Sequence, residues 1–209
     1  MTIQEKYKLY RKVGKELNHK IMKICLDRDG LMKSARFLGI AHEDILVFNT
    51  EDETSVLMDF ALNDYPVGNK NTIEIYREKT GWQNEVEKEI LDALLSSYTS
   101  LFKIVSILEA ENTLYLRDLL NKKDNIKLID IALSKTAAPG LLLFIRLVSL
   151  KDFHTTSGIS FVFPGILEMY LLRRYKKLSK KIISDSDSIK RFVSFFKLNK
   201  IDGLEVKYE

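Results

Sequence analysis

The chain contains few of the residues that usually interrupt or cross-link a protein. Its 209 residues include one cysteine, three prolines and nine glycines. A single cysteine excludes an intrachain disulfide, and the scarcity of proline and glycine argues against a long flexible linker. Cys25 lies between two apolar residues in a helical pattern, which predicts a small buried side chain rather than a reactive thiol.

The sequence also lacks the motifs that carry chemistry. Its three histidines, His19, His42 and His154, are scattered, and apart from the acids next to His42 none has a second ligand at metal-binding spacing. No phosphate-binding loop or nucleophile motif is present. His154 precedes a run of hydroxyl residues, 155–157, but such runs are ordinary in turns. We therefore predict no catalytic residues, no metal and no cofactor.

Long hydrophobic runs are missing as well. The longest nearly uncharged apolar stretch is roughly ten residues, about half of the ~20 that a membrane-spanning helix needs. The first residues, Met-Thr-Ile-Gln-Glu-Lys, do not form an apolar signal core. We expect a cytoplasmic protein with no transmembrane segment.

What the chain does contain is typical of a globular protein with a sizeable core. Hydrophobic residues make up 45% and charged residues 30% of the composition. We predict a mainly helical lobe over residues 1–100 and a second lobe over 101–209, packed together as one compact unit.

The fold class follows from a change of hydrophobic period near residue 100. Amphipathic helical patterns before it give way to short apolar runs separated by turn residues, and helical patterns return after Pro164–Gly165. Sequential strands with short connections usually pair as neighbours. We predict an α+β protein with a helical N-terminal half, a five-stranded antiparallel meander that can curl into a small barrel, and two C-terminal helices. The predicted strands are 101–108, 113–120, 126–134, 141–149 and 159–163, and the closing helices are 166–183 and 186–197.

Charge is distributed unevenly around a net value of +4. Residues 1–40 carry +6, 41–100 carry −9, 101–163 carry +2 and 164–209 carry +5. The basic ends and the acidic middle can neutralise one another, or the two ends can meet in a cationic patch suited to an anionic partner.

The first of the two closing helices is the strongest candidate for a binding surface. One stripe is apolar, and the remainder is basic. Such a helix can dock on the sheet with a solvated basic face, follow a nucleic-acid backbone, or lie on an anionic membrane. The candidate binding residues are Arg173, Arg174, Lys176, Lys177, Lys180 and Lys181.

A charge inside a predicted strand marks the second candidate site. Arg146 interrupts the apolar run 141–148, and an unpaired buried guanidinium is costly. Asp118 and Asp130, in neighbouring predicted strands, are the available partners. The set predicts a structural ion pair or an anion-binding arginine.

Three functions remain open on the sequence alone. We favour a non-enzymatic binding protein whose partner is another protein. The alternative is a nucleic-acid-binding protein that uses the basic terminal helices and the meander, and the least favoured is an enzyme with an unrecognised active site. The sequence leaves the partner and the oligomeric state open.

Overall fold

The computed structural model describes residues 1–204 and has helices and strands in two compact units. The first unit is Met1–Ser96 and the second begins at Ser97. The expectation that two lobes pack as one body stays a prediction.

The first unit is built from five helices and two short hairpins within the described residues. Local capping explains four of the five helix starts: Thr2 and Asn71 form capping boxes, and Asp27 and Asn84 accept from backbone N–H groups. Gly39 ends one helix in the left-handed region. The helices are α1 Ile3–Cys25, α2 Arg28–Leu38, α3 Asp52–Asn63, α4 Thr72–Lys79 and α5 Glu85–Leu95, and the hairpins pair β1 Ala41–His42 with β2 Ile45–Leu46 and β3 Pro66–Val67 with β4 Lys70–Asn71.

An ion pair joins the first and last helices of this unit. Lys20 Nζ lies 2.8 Å from Glu87 Oε1, and the Glu87 residue is only 4% exposed. Burial opposes ionisation of Glu87, but the hydrogen bonds from Lys20 and the Gln83 backbone outweigh it and lower the pKa of the carboxyl. At the end of α1, burial raises the pKa of the half-buried Cys25 thiol, which disfavours the thiolate form.

The second unit holds the five-stranded sheet, one short helix between strands and two closing helices. Alternate residues of the strands fill a common core that includes Phe102, Leu116, Leu128, Leu143 and Ile145. The strands are β5 Tyr98–Leu108, β6 Thr113–Asp118, β7 Lys123–Ile129, β8 Leu142–Ser149 and β9 His154–Phe163, and the helices are α6 Ile131–Thr136, α7 Glu168–Ser179 and α8 Asp187–Asp202.

The mixed helix-and-strand fold and the five-stranded sheet are as predicted, but the fully antiparallel meander is wrong. The strand order is β5-β6-β7-β9-β8, and β8 pairs in turn with β5, so the order closes on itself. The pairing of β7 with β9 is parallel, through Leu128 and His154, whereas the other pairings are antiparallel. The sheet is therefore mixed.

The predicted strand 126–134 is wrong beyond residue 129, and this explains the altered order. Asp130 is an N-cap: its Oδ1 accepts hydrogen bonds from the backbone N–H groups of Ala132 and Leu133, 3.1 and 3.0 Å away. The apolar residues after it begin α6 instead of extending the strand. The chain then enters β8 on the far side of β5.

Helix α8 covers the outer face of the sheet with aromatic side chains. Phe195 is fully buried and stacks on Phe144 of β8, with ring centroids 4.4 Å apart and planes 15° from parallel. Phe192 meets Phe144 and Phe161 edge to face at 6.0 Å. Because α8 covers one side and the sheet's own core the other, seven of the eight residues of β8 are buried.

Candidate functional site

Helix α7 begins where the sheet ends, at a turn that only glycine permits. A Cβ atom at Gly165 would overlap the carbonyl oxygen of Gly140, so the two backbone segments approach too closely for any side chain. After this turn a single 3-10 turn, Gly165–Leu167, leads into α7. The start of α7 is also fixed to the sheet, because Lys103 Nζ on β5 lies 2.9 Å from Glu168 Oε2.

One side of α7 packs inward, as the apolar stripe predicted. Leu171 is fully buried, and the Tyr175 ring stacks on Phe195 of α8 at a centroid distance of 5.2 Å. A helix anchored in this way presents its other side chains in a fixed direction.

The other side of α7 and the turn after it carry the predicted cations, all of them exposed. Within residues 1–204 none of their side chains makes an ion pair with a carboxylate. Their one cation–π contact in that range is between the Arg174 guanidinium and the Tyr170 ring, 6.0 Å from the ring centroid. The six residues are Arg173, Arg174, Lys176, Lys177, Lys180 and Lys181. We call this set the α7 cation surface.

Cations on the sheet differ in this respect. Lys103, Arg117 and Lys127 each lie within ion-pair distance of a carboxylate, on Glu168, Asp124 and Glu111 respectively. These three cations are thus paired, whereas the six cations of the α7 surface have no such partner in residues 1–204.

The α7 cations also repel one another. Arg173 and Lys177 are four residues apart within α7, a spacing that brings like charges together and destabilises a helix, and Lys180 and Lys181 add two more positive charges in the turn after it. The helix dipole offsets part of this at the C-terminal end. An anion bound across these side chains would relieve the remaining repulsion.

The same exposed side begins with apolar and aromatic residues. Ile166 is 92%, Met169 59% and Tyr170 40% exposed. Tyr170, Arg174 and Lys177 follow at positions i, i+4 and i+7, so they form one stripe along the helix.

The second predicted site lies inside the second unit. Arg146 on β8 is 3% exposed and is the cross-strand partner of Thr99 on β5. Asp118 accepts hydrogen bonds from Ser100 Oγ and from the backbone N–H of Asn121, which secures the turn after β6. Asp130 caps α6 and accepts from Thr156 Oγ1 at 3.1 Å. Both carboxylates thus shape the backbone, and an ion pair or anion site at Arg146 stays a prediction.

Two titratable side chains of the sheet have shifted pKa values. Burial, with the nearby Asp118 carboxylate, raises the pKa of Tyr98 to about 12. Burial lowers the pKa of His154, whose Nδ1 lies 3.0 Å from Ser149 Oγ. Ser149 and His154 are cross-strand partners in the β8–β9 pairing, so ordinary strand geometry accounts for their contact.

A cavity of about 430 Å³ lies at the end of α7, and Arg146 is not among its lining residues. It is lined by opposite charges, including Lys180, Lys190, Asp185 and Asp187. Across residues 1–204, no three His, Cys, Asp or Glu side chains are grouped as a metal site would need. In the same range, no helix is both long and apolar enough to cross a membrane.

Fold and surface together define a mixed helix-and-strand protein whose helix α7 and following turn carry a cluster of exposed cations without a carboxylate ion pair in residues 1–204. The chain belongs to DUF7986, a family of unknown function whose model matches residues 1–209. No curated protein and no solved structure matches the chain.

Proposed function

We propose that this is a non-enzymatic, cytoplasmic nucleic-acid-binding protein that holds the phosphate backbone on the α7 cation surface. The observation that carries the proposal is that six exposed cations within nine residues have no carboxylate partner in the described chain. Phosphate backbones take lysine and arginine alike, and their affinity comes mainly from such contacts. Protein interfaces are instead depleted in lysine, and four of the six residues are lysines.

The strand order supports the same proposal. A closed five-stranded order with a helix between the third and fourth strands corresponds to the OB-fold, a small Greek-key barrel that often binds oligonucleotides. We propose that the sheet is a barrel of this type. Because a fold hosts many functions, the strand order only adds weight to the charge argument.

The test is a salt titration of binding with a matched pair of variants. Labelled single-stranded and duplex oligonucleotides are titrated with the wild type, with Lys176→Gln/Lys177→Gln, and with Lys12→Gln/Lys15→Gln. The control variant also removes two positive charges, but from exposed positions of α1. Fluorescence anisotropy at several salt concentrations gives the slope of log affinity against log salt.

We expect the wild type to bind at low salt with a slope of about −2 to −4 on single strands, which corresponds to three to six phosphate contacts at ~0.7 each. The α7 variant should bind more weakly and lose about 1.4 from that slope, since two contacts disappear. The α1 variant should retain the wild-type slope. No binding at low salt would overturn the proposal, and so would an equal loss in both variants.

Protein–protein association is the second candidate, because of the exposed apolar residues at the start of α7. Ile166 and Met169 are 92% and 59% exposed, and Val105 on β5 is 53% exposed. Methionine and tyrosine beside arginine are typical of protein interfaces.

This candidate predicts a stoichiometric partner that depends on the apolar residues. A complex isolated from native extract should be lost in Met169→Glu and retained in Lys12→Gln/Lys15→Gln. Monomeric behaviour at high concentration, with no stoichiometric partner in extract, would count against it.

A further inference from the structure

Tyr170 stands apart from the other aromatic residues of its unit. Across residues 97–204 it is the only aromatic side chain that is exposed, at 40%. Phe102, Phe144 and Phe153, which a nucleic-acid-binding sheet could have used for stacking, are buried, and Tyr115 is half-buried. Among the described residues of this unit, Tyr170 is therefore the aromatic side chain most exposed to a stacking base.

The Tyr170 ring lies beside an arginine on an anchored turn of α7. The next residue, Leu171, is fully buried and fixes the helix, and the Arg174 guanidinium lies 6.0 Å from the ring centroid. Arginine beside an aromatic face adds cation–π attraction and a planar surface of its own. A tyrosine–arginine pair on a helix therefore offers an unpaired base two planar groups on which it can stack.

The ring is also in line with the phosphate-binding charges. Tyr170, Arg174 and Lys177 follow one another on α7 at i, i+4 and i+7. With a rise of 1.5 Å per residue, Tyr170 and Lys177 are about 10 Å apart along the axis. A strand that stacks one base on Tyr170 can thus place its following phosphates beside the cations.

We propose that the α7 cation surface selects single-stranded over duplex nucleic acid, because Tyr170 and Arg174 form a stacking platform for one unpaired base. This inference rests on the proposed function. In a duplex the base faces are covered by their neighbours, so only the cations contribute to binding. In a single strand the base contributes as well, and stacking on one aromatic residue strengthens binding about 5- to 150-fold.

The experiment compares one labelled pyrimidine oligonucleotide, free and annealed to its complement, at a fixed salt concentration. The variants are Tyr170→Leu, which removes the ring, and Tyr170→Phe, which keeps it. Tyr115→Leu is the matched control on the sheet. Circular dichroism and melting curves establish that each variant is folded.

We expect Tyr170→Leu to lose about 5- to 150-fold in affinity for the single strand and nothing for the duplex. Its salt slope should be unchanged, because no phosphate contact is removed. Tyr170→Phe and Tyr115→Leu should behave as the wild type does.

The inference is overturned if the wild type binds both forms equally and Tyr170→Leu has no effect, while the salt dependence persists. In that outcome the proposed function survives. If no oligonucleotide binds at low salt, the proposed function itself fails, and the inference fails with it.

Discussion

Removal of the Phe195 ring should loosen α7 from the second unit. Phe195 is fully buried and lies between Phe144 of β8, at 4.4 Å, and Tyr175 of α7, at 5.2 Å. It therefore joins the binding helix to the sheet. Truncation to alanine removes the transfer free energy of the ring and leaves a cavity, which together cost about 3–5 kcal/mol.

The assay is urea denaturation followed by circular dichroism, with the free energy of unfolding obtained by linear extrapolation. Phe195→Leu is the control and should cost less, because it leaves a smaller cavity. A double-mutant cycle with Tyr175→Leu should give a coupling of about 0.5–1.5 kcal/mol for the stacked pair. A loss below about 1 kcal/mol in Phe195→Ala, or no coupling, would refute the claim that this stack holds α7.

Two further predictions concern the sheet. Asp130→Ala should lower the free energy of unfolding by about 1–3 kcal/mol in the same urea assay. The reason is that α6 loses its N-cap and the buried Thr156 hydroxyl loses its hydrogen bond to Asp130. Asp130→Asn should lower it less. The pKa of Tyr98 is raised to about 12 by burial and by Asp118, so its neutral form stabilises the native state. This contribution should be fully present below pH 10 and should vanish as the pH rises from 10 to about 12. Urea midpoints measured across that range should change less in Tyr98→Phe; an identical pH dependence in both proteins would contradict the assignment.

Sequence patterns located most of the strands but not helix α6 or the order in which the strands pair. The apolar runs of β5, β6 and β8 are readable because each is bounded by turn residues. Helix α6 was missed because the apolar residues after Asp130 fit a strand as well as a helix, and six residues are too few to show a helical period. Strand order depends on which distant edges meet, and no local pattern carries that information.

Helix α4 differs from α6, because the sequence carries a clear signal for its start. Asn71 and Glu74 have the spacing of a capping box, and in the structure both hydrogen bonds of that motif form. This start signal is readable in the sequence despite the short length of the helix.

For the candidate site, the sequence predicted the position of the cations but not their isolation. Helical spacing placed Arg173 to Lys181 outside the apolar stripe of the helix, and these side chains are exposed. Whether carboxylates from other elements form ion pairs with these cations depends on the tertiary structure. The same is true of Tyr170, whose exposure contrasts with the burial of most aromatic residues in its unit.

The closed strand order has a consequence for the growing chain. Backbone groups of Tyr98–Lys103 on β5 pair with residues 142–147 of β8, which are made some forty residues later. A chain that has reached only Ile129 can form the β5–β6 and β6–β7 hairpins, but it leaves one edge of β5 open. Open edges recruit strands from other chains, so synthesis passes through an interval in which this protein is most prone to aggregate, and that interval ends when β8 arrives.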